Sequence, residues 1–272
     1  MRRYPAAFFL VFCFFFLTSP LAAQLPPPPA PQPVVTGRDP QAMSVLRNAL
    51  SAMGGTGAAS IQDTVVQATF TAPPNAGGQS GTVTVTTKGA TEMRSDSTLG
   101  NKSTSIIFNN GIEKHSGEKG WVTLPAANAH HKRIEHLPAM LLYYEFARSD
   151  MAAAYVGQES LNGESVHHLR LARTSSTGNS YFDQIETRNS QIEIYVDAQT
   201  FQIARISFIY LSSTDWRRGF PMDIYYDKYS TVNGIAVPFH QRYFFAGSPN
   251  GEFQLTSVVV NQGPTDSMFQ GK

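Results

Sequence analysis

Hydrophobic and polar residues alternate along most of this chain. Between Gln191 and Tyr210, Ile192, Ile194 and Val196 alternate with Glu193, Tyr195 and Asp197, the period of a strand with one buried face. Asp197 suits the first position of a type I turn. Phe201, Ile203 and the run Ile206–Leu211 then return as a second strand, giving an antiparallel hairpin. The same pattern begins at Ile61. Thr64–Thr71, Gly81–Thr87, Thr91–Ser97, Ser103–Asn109, Ile112–His115 and Gly120–Leu124 read as strands. Pro73-Pro74, Gly77-Gly78, Gly89, Gly100, Asn109-Asn110-Gly111 and Gly117 separate them. Asn110-Gly111 is the strongest hairpin signal in the chain. Further strands are expected at Ala154–Ser160, Ser165–Ala172, Pro221–Tyr229, Ile235–Ala246 and Glu252–Val260, with turns at Asn233-Gly234 and Asn250-Gly251. The spacing predicts an up-and-down meander of about eleven or twelve strands with two helices.

Helical spacing shows in two places. Asp39-Pro40 supplies an N-cap and a proline at the first helical position, Met43, Leu46, Leu50 and Met53 recur on one face, and Gly54-Gly55 ends the run. This helix of roughly 14 residues has an apolar stripe that must cover something, either the sheet or the mouth of a cavity. The strand pattern breaks again at His130–Arg148, where Pro138 starts a helix with Met140, Leu141, Tyr144 and Ala147 as its stripe. Thr174–Ser190 reads as a long polar loop, and a loop of that length in a compact domain is expected to be mobile.

Composition then narrows the class. The chain has 272 residues, 42% of them hydrophobic, 15% charged and 11% aromatic, which suits one globular domain with a substantial core. The net charge of +1 and the lack of a basic run give no reason to expect nucleic acid. Arg2 and Arg3 precede the apolar stretch Ala6–Leu17, and Leu21-Ala22-Ala23 ends in a small residue. This is a secretory signal with cleavage expected after Ala23, since an apolar run of about 12 residues is too short to span a bilayer. The single cysteine, Cys13, leaves with that segment, and Gln24 stands where a lipoprotein would carry its lipidated cysteine. Export without a disulfide points to a bacterial periplasm. Without Arg2 and Arg3 the 21 basic residues fall to 19 against 20 acidic ones, so the mature charge is about −1. Gln24–Thr36 is proline-rich and is expected to be an extended spacer. The domain plan is therefore a signal peptide over 1–23, a tether over 24–38 and one folded domain over 39–272.

The order of these elements resembles a known family. The strand-Asp-turn-strand of 194–206 (IYVDAQTFQIARI), the stretch 226–240 (YDKYSTVNGIAVPFH) and the ending 257–269 (SVVVNQGPTDSMF) are similar to the LolA/LolB/RseB-like group of bacterial envelope proteins, over roughly residues 38–269. The resemblance implies an α+β fold that is mainly antiparallel β: an unclosed, strongly curved β-barrel with helices covering the concave face. It also implies a periplasmic carrier or binding protein for a hydrophobic guest, a lipid or lipoprotein acyl chain, held between the sheet and a helical lid. The alternative is an RseB-like envelope sensor that works through protein contacts without lipid cargo.

Candidate chemistry is sparse. His130, His131 and His136 lack the spacing of a zinc helix. His167 and His168 are strand neighbours and should face opposite ways. Asp223 and Asp227 could share a strand face, as a glycosidase pair would, but acids in a meander often do so. No nucleophile elbow or phosphate-cradling loop occurs. The reading is a non-enzymatic binding protein with no cofactor and no metal. Its guest would be lined by Met43, Leu46, Leu50, Val66, Phe70, Val83, Val85, Phe108, Trp121, Leu141 and Phe208. A monomer is expected, whose partner is a hydrophobic small molecule, a lipidated protein or an envelope protein.

Overall fold

The computed structural model describes residues 35–117, 120–124, 135–174, 180–211 and 219–271. Residues 1–34, expected as a signal peptide and most of a tether, and His130-His131 lie outside these. Helix α1 (Pro40–Ala52) opens the domain, with the Asp39 carboxylate accepting from the Ala42 amide at 2.8 Å. Six strands follow: β1 (Asp63–Thr71), β2 (Ser80–Lys88), β3 (Glu92–Leu99), β4 (Lys102–Asn109), β5 (Ile112–Gly117) and β6 (Gly120–Leu124). Helix α2 (Pro138–Ala147) precedes β7 (Met151–Leu161) and β8 (Glu164–Arg173). Helix α3 (Ser180–Asn189) leads to β9 (Ile192–Asp197), β10 (Ile203–Leu211), β11 (Gly219–Val232), β12 (Ile235–Phe245) and β13 (Ser248–Val260).

The thirteen strands form one sheet in the order β6-β5-β4-β3-β2-β1-β13-β12-β11-β10-β9-β8-β7, antiparallel throughout. The number exceeds the expected eleven or twelve because each short segment pairs as a strand of its own. Two meanders, β1–β6 and β7–β13, are joined at the centre by the β1–β13 pair, and β6 and β7 are left as separate edges. The sheet is therefore an unclosed half-barrel. Register shifts at Gln67/Ala68, Tyr155/Gly157, Ile203/Arg205 and Tyr243/Phe244 add the local bend and twist that curve it. Because consecutive β6 and β7 occupy opposite edges, the chain between them has to cross from one edge to the other. Helix α2 lies on that crossing and packs against α1 and β12.

The core sits between the concave face and the two helices. Ala42, Val45, Leu46 and Ala49 of α1, Met53 just past its end and Ala139–Leu142 of α2 are buried in one apolar cluster with inward residues of the sheet. The last turn of α1 abuts the β11–β12 hairpin: the Ala236 amide donates to the Met53 carbonyl at 3.0 Å. A Cβ at Gly54 would collide with the backbone of Gly234 and Ile235, so only glycine lets the helix end there. At the other end, Asp39 and Ala153 are joined by a 2.9 Å backbone bond, and Arg38 donates to the carbonyls of Met151 and Arg148. Val35 is buried beside Ala152 and Ala172. Residues 35–38, expected as tether, are part of the fold because they pair with the edge strand β7.

Two further expectations change. Asn110-Gly111 and Asn233-Gly234 make two-residue turns with both residues at positive φ, as read. Asn250-Gly251 does not. The β12–β13 turn is Ala246-Gly247, and Gly251 lies inside β13 beside a register shift. There its missing side chain leaves space for the Phe70 ring, which a Cβ would strike. The polar stretch expected as a loop over 174–190 contains α3. Asp183 in its first turn and Arg188 in its last suit the helix dipole. Buried Ser190 ties its end to β8 by accepting from the Arg173 amide at 2.9 Å.

Candidate functional site

Strand register decides which side chains meet under the helices. Val66 stands opposite Val85 and Val258, and Ala68 opposite Val83 and Leu255. Two strands further on, Ile224 faces Ile206 and Tyr243, while Phe208 lies between Ile192 and Met222. An apolar surface therefore runs from β2 through β1 and β13 to β8. Of the residues predicted to line a guest, Met43, Leu46, Val66, Val83, Leu141 and Phe208 are buried in this cluster, and Leu50 and Val85 are half-buried against it. Phe70 points to the same face at its rim, its ring 4.9 Å from that of Phe253.

Two predicted residues fall elsewhere. Phe108 faces the concave side, opposite Met93, and is fully buried, but it lies outside the cluster formed with α1 and α2. Trp121 pairs with Ser116, one residue out of phase with the inward His115 and Val122. It therefore stands on the convex face, where Gly271 lies against its ring. The C-terminal tail crosses that face. Phe269 is buried, its carbonyl accepts from Asn109 at 3.2 Å, and the Gln270 carbonyl accepts from Lys114 at 2.6 Å. Trp121 thus meets the tail where a cavity contact was expected.

Alternation alone did not single out a polar group inside the apolar surface. Tyr226, Gln241 and Tyr243 occupy inward positions of β11 and β12 and are almost fully buried. Tyr226 donates to the Glu135 carbonyl at 2.6 Å, Gln241 Nε2 to the His136 carbonyl at 2.8 Å, and Tyr243 to Gln241 Oε1 at 3.2 Å. Burial pushes the His136 imidazole down to about 4, so it is neutral at pH 7. Burial, with the charge of Glu135 adding to it, holds the Tyr226 and Tyr243 hydroxyls well above the usual phenol range. Gln241 sits two residues before Tyr243 on one strand face, so parity along FHQRYFF was the signal that could have found it.

The convex face of the second meander is polar and internally paired. His168 bridges Glu159 at 2.6 Å and Glu193 at 2.8 Å, and Glu193 also accepts from Arg170 at 2.7 Å. Arg205 lies 3.7 Å above the Tyr195 ring. Asp223 and Asp227 share this face, as the alternation allowed. Asp223, however, accepts from Ser207 and lies near Arg205, while Asp227 binds His240 at 2.8 Å. Each carboxylate thus has its own partner, with Tyr225 between the two along the strand. His167 and His168 do face opposite ways: His167 stacks on Phe201 inside and His168 on Tyr195 outside. Among the described residues no group of three or more His, Cys, Asp or Glu could hold a metal ion, and no helix is long and apolar enough to cross a membrane.

No protein-family model matches the sequence, and no curated protein matches it either. Solved structures do match the fold. A LolA superfamily protein from Nitrosomonas europaea superposes with a TM-score of 0.53 at 13% identity, over 84% of this chain and 97% of that one. A DUF1329 family protein from Desulfovibrio piger gives 0.53 at 12%, over 84% and 97%. A domain from Vibrio parahaemolyticus assigned as an outer membrane lipoprotein-sorting protein gives 0.52 at 9%, over 85% and 96%. At such identities the likeness is one of fold: this chain has the LolA-like half-barrel.

Proposed function

We propose that this is a non-enzymatic periplasmic protein, exported with cleavage after Ala23, that binds a hydrophobic guest such as a lipid or the acyl part of a lipoprotein. The reading rests chiefly on the concave face. It carries apolar side chains on neighbouring strands from β2 to β8, yet among the described residues its cover consists of two short helices rather than a second sheet. Backbone hydrogen bonds lock each strand to its neighbours, whereas α1 and α2 are held on the sheet mainly by side-chain contacts and by bonds at their ends. A helical cover can shift as a unit, and a guest then gains about 0.8 kcal/mol for each methylene it buries. The sorting assignment of the Vibrio parahaemolyticus domain is consistent with this. Met43, Leu46, Leu50, Val66, Val83, Val85, Leu141 and Phe208 are the wall that such a guest would meet.

Native mass spectrometry of the mature protein, purified from its own periplasm with lipid extraction of the same sample, tests the reading. A stoichiometric acyl-containing guest is the expected result, with weaker retention after substitution at Leu46. A clean apo mass, with no uptake of added lipid or acyl-peptide, would overturn carriage and favour a domain that works through protein contacts.

A further inference from the structure

Where the chain enters α2, the concave face carries a polar group among its apolar residues. There the hydroxyl of Tyr226 and the amide of Gln241 clamp the Glu135 and His136 carbonyls onto the sheet. His136 is 8% exposed, and its Nε2 has no hydrogen-bond partner among the described residues. Two residues later α2 begins, with no side chain capping it at Leu137 and with Pro138 and Ala139 buried. Pro138 carries no amide hydrogen and the Met140 and Leu141 amides both donate to the Leu137 carbonyl, which leaves the Ala139 amide as the first-turn donor without an intrahelical acceptor. A buried imidazole nitrogen and an uncapped helix start thus follow one another within three residues of the chain, next to the buried Tyr226, Gln241 and Tyr243 group. Leaving such groups unsatisfied costs folding free energy, and native proteins seldom do so without a reason.

We propose that His136 Nε2 and the start of α2 are the polar end of the guest site, and that they receive an uncharged oxygen, an ester carbonyl or hydroxyl, at the head of a long-chain amphiphile. This assignment rests on the hydrophobic-guest reading above and names the head group it selects. The Ala139 amide is a donor, and a neutral imidazole offers an N–H or a lone pair according to tautomer. A hydroxyl or ester oxygen satisfies both. A carboxylate head is disfavoured because Glu135 already places its charge near Tyr226 and Tyr243, and because the hydroxyl protons there are committed to Glu135 and Gln241. An ammonium head would be drawn to Glu135 but can accept nothing from the Ala139 amide.

Three ligands with the same twelve-carbon chain separate these cases: monododecanoylglycerol, dodecanoate and dodecylammonium, titrated calorimetrically at pH 7 into the delipidated mature protein. The uncharged ester is expected to bind about tenfold more tightly than either ion, equivalent to ~1.4 kcal/mol. His136→Phe should abolish that preference while the protein remains folded by circular dichroism. His136→Gln, which keeps a donor and an acceptor, should retain part of it. Should His136→Phe fail to fold, nitrogen NMR of labelled histidines in the unmodified protein gives the same answer. One imidazole nitrogen should move when monododecanoylglycerol binds and stay put when dodecylammonium is added. Equal binding of all three, a preference for dodecanoate, or a preference unchanged in His136→Phe would overturn the polar-end assignment and leave the hydrophobic-guest reading intact. Failure of all three to bind would overturn both.

Discussion

Leu46→Ala tests how firmly α1 is seated on the sheet. Leu46 is completely buried at the middle of α1, whereas Leu50, one turn later, is half-buried at the edge of the same cluster. Removing three carbons at about 0.8 kcal/mol each removes ~2.4 kcal/mol of transfer free energy. A cavity contribution adds to this because α1 cannot easily collapse into the gap. Its first turn is held by Asp39 and the Asp39–Ala153 backbone bond, and its last by the Ala236 amide on Met53. The total should be about 3–4 kcal/mol, inside the range of about 2–5 for a buried leucine. Leu50→Ala should cost about 1 kcal/mol or less, in proportion to its burial. Alanine is the better helix former, so propensity does not explain a loss in either variant. Equilibrium urea unfolding followed by circular dichroism measures both. With a slope of about 3 kcal/mol per molar, the midpoint should fall by ~1 M for Leu46→Ala and ~0.3 M or less for Leu50→Ala. Equal shifts, or a Leu46→Ala cost under ~1 kcal/mol, would refute the idea that α1 is packed as a cover and not merely tethered at its ends.

Phe269→Ala removes the one fully buried ring of the tail and should cost about 3–5 kcal/mol, read by thermal unfolding; a loss under ~1 kcal/mol would mean the tail does not seal the convex face. The His168 bridge makes stability pH-dependent. Burial alone would lower the His168 pKa, but its hydrogen bonds to the Glu193 and Glu159 carboxylates outweigh it and raise it above 6.5, while His168 and Arg170 hold Glu193 below 4.5 despite burial. The histidine contribution is therefore present below pH 6.5 and lost as pH rises through the raised value. That of Glu193 is present above 4.5 and lost as pH falls through the depressed one. The stability difference between the unmodified protein and His168→Gln should accordingly shrink as pH rises from near neutral into the alkaline range; a pH-independent difference would contradict the bridge.

The strands and their order of appearance were legible because they rest on local chemistry. Alternation in 192–196, the Asn-Gly turns at 110–111 and 233–234, and the Asp39-Pro40 start of α1 are each decided within a few residues. The predicted turn at Asp197 holds for the same reason, its carboxylate accepting from the Gln199 and Thr200 amides. Helix α3 was hidden because its polar composition looks like a loop, and its anchor at Ser190 is a contact with β8. Asn250-Gly251 looked like a turn, yet pairing with β12 placed the turn at Ala246-Gly247 and gave Gly251 the task of admitting Phe70.

Alternation in the sequence determines that a strand has two faces and which side chains share one. It does not say which face is inside. That depends on the pairing of β1 with β13, whose partners Thr64 and Val260 are far apart in sequence, and on α2 crossing from one sheet edge toward the other. Trp121 and Phe108 illustrate the difference: both are aromatic strand residues, and only register places one inward and the other against the tail. The unpartnered His136 nitrogen is likewise invisible in the sequence. Whether a polar atom is satisfied depends on what the folded chain brings within about 3 Å of it, and that distance exists only once the sheet has curved beneath the helices.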